Sequence, residues 1–401
     1  MGKFASRAQR VLILSCAALV FVVAAYAATT ISASPPNPTA TATPVPPQPL
    51  TAPTALPAPR GKHTIYVLDV LNGRLISELD EIDADTQLRH STLTLRYTPE
   101  FAYSADGTRL YVLDTYYTKA TRGEPQDILS VFDAQTLQIQ RDDVPVPKRL
   151  QYKVFPVGNL WFFASPDDKY LFVVKYGETD VHELRLTVLD ANALQQVAEY
   201  LMPSCQDQRV WAWTQGRLLC ASEGGLDVLD ALTGKVIQHL ALPSEISVQA
   251  TLLSPTLDKW YLLGQGGQVV IVDVSTDMPR RAQTTSLPIP SGYALGFPEQ
   301  LVFSKDGARL YIGLVPTTGE LAGSGLTDLI YVYDTRTWSK IGEIKPADPA
   351  MYLAVSNDGT QLYTTNPESR QLTIYDTATF QQSGVLHDLG ISPSQILIPP
   401  E

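Results

Sequence analysis

From Gly61 onward the chain repeats one hydrophobic–polar pattern: a short apolar run ends in Asp, a polar turn follows, and a second run resumes. The copies are Tyr66-Val67-Leu68-Asp69, Val131-Phe132-Asp133, Val188-Leu189-Asp190, Val228-Leu229-Asp230, Ile271-Val272-Asp273, Val332-Tyr333-Asp334 and Thr373-Ile374-Tyr375-Asp376. Three residues past five of these aspartates stand Asn72, Thr136, Thr233, Thr337 and Thr379. Asp and Thr side chains take backbone amides in tight turns, so each copy predicts a strand, a capped turn and a strand. A second pattern, Ser-x-Asp-Gly-x-x-Leu-Tyr, precedes most copies. Ser104-Ala105-Asp106-Gly107 leads to Leu110-Tyr111, and Ser165-Pro166-Asp167-Asp168 leads to Leu171-Phe172. Ser304-Lys305-Asp306-Gly307 leads to Leu310-Tyr311, and Ser356-Asn357-Asp358-Gly359 leads to Leu362-Tyr363; Ser254–Tyr261 and Thr214–Leu219 are weaker copies. Asp-Gly between apolar runs predicts a hairpin, because both turn residues tolerate positive φ.

Each unit therefore reads as four strands. The aspartates lie 40 to 64 positions apart, a spacing that suits four-stranded blades with variable loops. A lone four-stranded sheet leaves both faces wet, and radial stacking covers them. The expected fold is all-β: a seven-bladed β-propeller of four-stranded antiparallel blades over residues 62–401. No segment sustains the 3.6-residue period of a helical core. Seven Asp-ended strands stand against six hairpins, so the first blade lacks its inner strand. The tail, Ile391 to Ile398, reads as that strand and closes the ring, which removes an exposed sheet edge. One further strand of the first blade stays unassigned. Trp161, Phe162 and Phe163 read as an inner strand.

The N-terminus sets the compartment. Lys3, Arg7 and Arg10 precede an uncharged run from Val11 to Ala28, and Ala25-Tyr26-Ala27 is a small-x-small cleavage pattern. Residues 1–28 are either a signal peptide cut after Ala27 or an uncleaved signal-anchor. Residues 29–61, rich in Pro, Thr and Ala, read as a disordered linker. As polyproline II, Ser34 to Arg60 would reach roughly 80 Å at about 3.1 Å per residue. The expected location is extracytoplasmic, secreted or anchored by the N-terminal segment. The net charge of −11 and the lack of a basic stripe argue against nucleic acid.

These repeats resemble the bacterial seven-bladed propellers of the YVTN type, and more narrowly the heavy subunit of methylamine and aromatic amine dehydrogenases. Two stretches carry the narrower resemblance: Tyr117-Thr118-Lys119-Ala120-Thr121-Arg122-Gly123-Glu124 continuing to Val131-Phe132-Asp133, and Cys205 with Cys220 around Trp211 and Trp213. The resemblance implies a disulfide at that spacing. It also implies a scaffold for a separate small subunit that carries a tryptophan-derived quinone. Tyr97 falls where the family places a channel-lining Phe; that difference and the Pro-rich stalk set this chain apart from the typical member. Independently, Cys205 and Cys220 are the only cysteines beyond the leader, and an oxidising compartment favours their pairing.

Candidate chemistry is sparse. His63, His90, His182, His239 and His387 show no metal-ligand spacing, and no Gly-x-Ser-x-Gly elbow occurs. Gly264-Gln265-Gly266-Gly267 reads as a hairpin. The repeated aspartates read as turn caps rather than cation ligands. Loops on rigid scaffolds carry recognition, and the two longest insertions, Tyr116–Asp127 and Pro316–Asp328, both join second to third strands. The expected partner face is built by them, with Tyr97, Tyr116, Tyr117, Arg122 and Glu124 as its candidate residues. The favoured function is an exported binding or scaffold protein with no cofactor in this chain. The alternatives are the heavy subunit of a quinone-dependent amine dehydrogenase and a lactonase-like propeller hydrolase.

Overall fold

The computed structural model describes Leu50 and residues 61–400, except 72–75, 118–124, 147–161, 177–183, 204, 214–215, 223–224, 244–245, 247 and 277. The leader at 1–28 and nearly all of the linker lie outside the described residues. Leu50 is the exception: it is buried in the apolar cluster that also holds Tyr66, Leu79 and Phe101. Among the described residues no helix is long and apolar enough to cross a membrane.

The strands are antiparallel and consecutive. In chain order the first six are β1 (Thr64–Leu71), β2 (Ile76–Asp83), β3 (Leu88–Tyr103), β4 (Arg109–Tyr117), β5 (Pro125–Asp133) and β6 (Ile139–Val146). Then come β7 (Phe162–Ala164), β8 (Tyr170–Tyr176), β9 (Leu184–Asp190) and β10 (Gln196–Leu201), and β11 (Cys205–Trp213), β12 (Arg217–Ser222), β13 (Gly225–Asp230) and β14 (Val236–Ala241). Next are β15 (Val248–Leu253), β16 (Lys259–Gly264), β17 (Gln268–Asp273) and β18 (Arg280–Ser286). The following sheet holds β19 (Tyr293–Leu295), β20 (Leu301–Phe303), β21 (Arg309–Pro316), β22 (Leu329–Asp334) and β23 (Lys340–Ile344). The last strands are β24 (Tyr352–Val355), β25 (Gln361–Asn366), β26 (Gln371–Asp376), β27 (Gln382–Leu386) and β28 (Pro393–Leu397).

β3 explains the strand that the sequence left unassigned. Its first half, to Arg96, pairs with β2; from Tyr97 onward it pairs with β4. Thr98, at φ 48°, marks the break. One strand thus ends one four-stranded unit and begins the next. The first unit runs β28-β1-β2-β3, because β28 pairs with β1.

The same unit corrects one expectation. Asp69 lies inside β1 rather than at its end. It is buried on β1 and accepts the amides of Ile391 and Ser392, which lead into β28. A Cβ at Gly390 would overlap its carboxylate, so glycine is needed there. The turn cap of this unit is Asp83, which accepts the amides of Asp85 and Thr86. The other aspartates cap as expected. Asp133, Asp230, Asp334 and Asp376 each accept the amide and hydroxyl of the Thr three residues on. The residue after that Thr is left-handed: Leu137, Gly234, Trp338 and Phe380 have φ between 55° and 68°. In the hairpins Ser104, Ser165, Ser304 and Ser356 donate to Asp106, Asp167, Asp306 and Asp358 at 2.6 to 2.8 Å.

Apolar clusters fill the seams between neighbouring sheets. One packs β7–β10 side chains such as Phe172 against Leu218 of β12, and another packs Tyr311 and Val332 against Leu362. A further one joins Ile65 and Val67 of β1 to Tyr363 and Ile374 of the last sheet. The Leu-Tyr of the hairpin motif serves these seams: Leu110 and Tyr111 are fully buried, and the Tyr111 hydroxyl reaches the Ala191 carbonyl of the next sheet at 3.5 Å. The cysteines form the expected disulfide, Cys205–Cys220, with Cα atoms 5.5 Å apart.

Candidate functional site

Antiparallel order gives each unit two distinct ends. First-to-second and third-to-fourth connections share one; second-to-third connections take the other. The first end is built from the repeated turns, which also lock sheet to sheet. Arg109 donates to Asn192 (3.1 Å), Ala105 and Asp106 amides donate to Asp168, and Arg309 donates to the Thr377 carbonyl (2.7 Å). His63 lies between Asp85 (2.6 Å) and Asp358 (3.0 Å), tying the first unit to the last, and Gln361 donates to Asp85 across the same seam.

The second end carries the insertions. β4 and β5 are joined through 118–124, and β21 and β22 through 317–328. Tyr97 is half-buried on β3 opposite Thr115, while Tyr116 and Tyr117 stand opposite Gln126 and Pro125. These three candidates therefore sit on adjacent strands at one end of one sheet. Arg122 and Glu124 lie outside the described residues. The β21–β22 insertion is anchored from within: the buried Gln300 amide donates to the Gly325 carbonyl (2.7 Å), and Thr327 donates to the Leu314 carbonyl (2.6 Å).

Beneath Tyr97 is a charge network that the repeat pattern did not reveal. Arg96 is 4% exposed and Asp114 fully buried. The Arg96 amide donates to Asp114 (3.0 Å), and its guanidinium reaches Asp114 (3.4 Å) and Asp142 (3.0 and 3.1 Å). Ser130 donates to Asp142 (2.7 Å). Burial pushes the Asp114 carboxyl up to about 7 against the pull of Arg96, since charge is costly where water is excluded. A proton can thus enter or leave the network near neutral pH, directly under the β3 break. Asp142 also faces outward, lining an open groove of about 610 Å³ with Arg141, Val144, Pro145, Leu194 and Gln195. The available signal was Asp114, standing in the phase of Leu110 and Val112 where alternation calls for an apolar residue.

His239, on the outer strand β14, donates to the Asp227 carboxylate at 2.7 Å. Among the described residues no group of three or more His, Cys, Asp or Glu is arranged to hold a metal ion.

The fold belongs to the β-propeller class. Among solved structures it is similar to a candidate 6-phosphogluconolactonase of Bacteroides uniformis, at 12% identity over 84% of this chain and 99% of that one, TM-score 0.57. It is also similar to hydrazine synthase of Kuenenia stuttgartiensis (16% identity, 78% and 95% covered, TM-score 0.51). A third is the dihydro-heme d1 dehydrogenase NirN (16% identity, 84% and 68% covered, TM-score 0.51). At such identities the likeness is one of fold. No protein-family model matches the chain, and no curated protein does.

Proposed function

We propose that the chain is a closed seven-bladed propeller, exported and tethered by its N-terminal segment, that binds a protein partner at the insertion-bearing end. The pairing supports this reading when β3 is shared between two units, giving six four-stranded units and one five-stranded unit, and the apolar seam between the first and last sheets supports a closed ring. The binding role rests on one observation: the short repeated turns occupy one end, while the β21–β22 insertion leaves from the other, together with the β4–β5 and β8–β9 connections. A scaffold fixed at one end can vary loops at the other without disturbing its core. Replacing Arg122 and Glu124 together by Ala tests the face. Melting should stay nearly unchanged, as for most surface substitutions, while capture of native partners falls. Recovery of the same partners at the same yield would overturn it.

The heavy-subunit reading is a narrower version of the same role, with a small quinone-bearing subunit as the partner. It shares with this chain the Cys205–Cys220 bond. A lactone hydrolase is the second reading, drawn from the fold likeness to candidate 6-phosphogluconolactonases. Purified protein that opens no lactone in a panel of sugar and acyl lactones removes it.

A further inference from the structure

We propose that the seam between the first and second units is a binding site for a proline-flanked leucine, and that the chain's own linker fills it through Leu50. The disc is then held to its N-terminal segment at residue 50 rather than at Gly61. Leu50 is 9% exposed and belongs to the apolar cluster drawn from β1 to β5 and β28.

The composition of the linker makes this burial informative. From Ser34 to Arg60 the chain is mostly Pro, Thr and Ala, and its large aliphatic side chains are Val45, Leu50 and Leu56. Such a segment cannot bury a core of its own. The surface that covers Leu50 is therefore supplied by the folded repeats, as the cluster shows.

The seam suits this occupant. Pro46, Pro47, Pro49 and Pro53 flank Leu50. Proline has no amide to donate and a fixed φ, so the segment is poorly made for adding to a sheet edge. Proline-rich peptides dock instead through side chains, in the polyproline II mode that favours aromatic-lined surfaces. The cluster around Leu50 holds Tyr66, Phe101 and Phe132, and Tyr97 and Tyr103 pack against it. It also holds Leu397 of β28, so the linker docks where the C-terminal strand completes the first unit.

Tethering keeps the site filled. Ten residues separate Leu50 from Gly61, and a linker that short gives an effective concentration of about 1 mM. A free peptide with a Kd of only about 0.1 mM would thus be displaced about tenfold by the attached segment. The spacer beyond the docking point runs from Ser34 to Pro49. Its reach is roughly 50 Å at about 3.1 Å per residue, against roughly 80 Å for an undocked linker.

Two measurements on the full chain in mild detergent test the proposal. In a Cys16→Ser background, Leu50→Cys should react with a maleimide at least tenfold more slowly in native buffer than in denaturing urea; equal rates overturn the docking. A fluorescent peptide of residues 46–54 should bind the Leu50→Ser protein, by anisotropy, at least tenfold more tightly than it binds wild type. Leu50→Met, which keeps the bulk, should exclude the peptide as wild type does. Peptide that binds both wild type and Leu50→Ser equally, or neither, overturns the assignment of the seam as the site.

Discussion

Asp69 is the most informative single position, because its carboxylate holds the start of the C-terminal strand. It is 1% exposed and accepts the Ile391 amide (2.9 and 3.1 Å) and the Ser392 amide. Hydrogen bonds to a charged group contribute about 1.5–3 kcal/mol each. Asp69→Ala removes two, but Ile391 is 60% exposed, so water replaces part of that loss. Relief of the neighbouring Asp80, whose burial-raised pKa is lifted further by Asp69, offsets a little more. A net cost of about 3 kcal/mol is expected. At about 2.1 cal/mol/K per residue over some 340 residues, that lowers Tm by about 4 °C. Asp69→Asn keeps an acceptor and should lose less than half as much. The assay is thermal melting beside limited proteolysis, read at the tail from Asp388 onward. If Asp69→Ala melts within 1 °C of wild type and its tail is cleaved no faster, β28 does not close the ring in the way argued here.

Three further outcomes are expected. Reducing Cys205–Cys220, or replacing both by Ala, should cost about 3 kcal/mol by the loop-entropy estimate, and unchanged urea midpoints would refute that. The Asp114 carboxyl, raised from 3.8 to about 7 by burial, imposes no penalty below about pH 4, where folded and unfolded forms are both protonated; the penalty grows as pH rises to 7. Asp114→Asn should therefore gain on wild type by on the order of 1–4 kcal/mol between pH 4 and 7, and a pH-independent difference in urea titrations would refute this. The turn aspartates run the other way. Ser104 holds Asp106 at about 2, and Thr233, Thr337 and Thr379 hold Asp230, Asp334 and Asp376 low. Their contribution is present above about pH 4 and lost as pH falls through the folded values, so acid unfolding should set in below pH 4 and move upward in the triple Thr→Ala variant.

What the sequence made legible was what is chemically local. Asp-x-x-Thr turns and Ser-x-Asp hairpins close within five residues, so their donors and acceptors lie side by side in the text of the chain. The first unit was misassigned for the same reason. β2 reads Ile-Ser-Glu-Leu-Asp-Glu-Ile-Asp, too acidic to pass for an apolar run, although Asp80 and Glu81 are buried and accept the hydroxyls of Thr92 and Ser91. Asp69, after Tyr-Val-Leu, imitated the motif while serving residues more than 300 positions away. The division of β3 was equally hidden, since Arg96-Tyr97-Thr98-Pro99 contains no glycine to announce a break.

The charge network fails to show in the sequence because its parts are distant: Arg96 and Asp142 are 46 positions apart. Its place nonetheless bears on the binding role. Asp114 pins the Arg96 amide immediately before Tyr97, and Asp142 reaches from the same guanidinium to the open groove beside β6. Protonation of Asp114 removes an acceptor charge from Arg96 and leaves Asp142 as its ionic partner. The segment carrying Tyr97, and the β4 strand that leads to Tyr116 and Tyr117, thus hang on a group that titrates near neutral pH. If the partner engages those tyrosines, its affinity should depend on pH between about 6 and 8 in wild type and lose that dependence in Asp114→Asn. A partner whose binding is equally pH-dependent in both proteins does not engage this segment through the network.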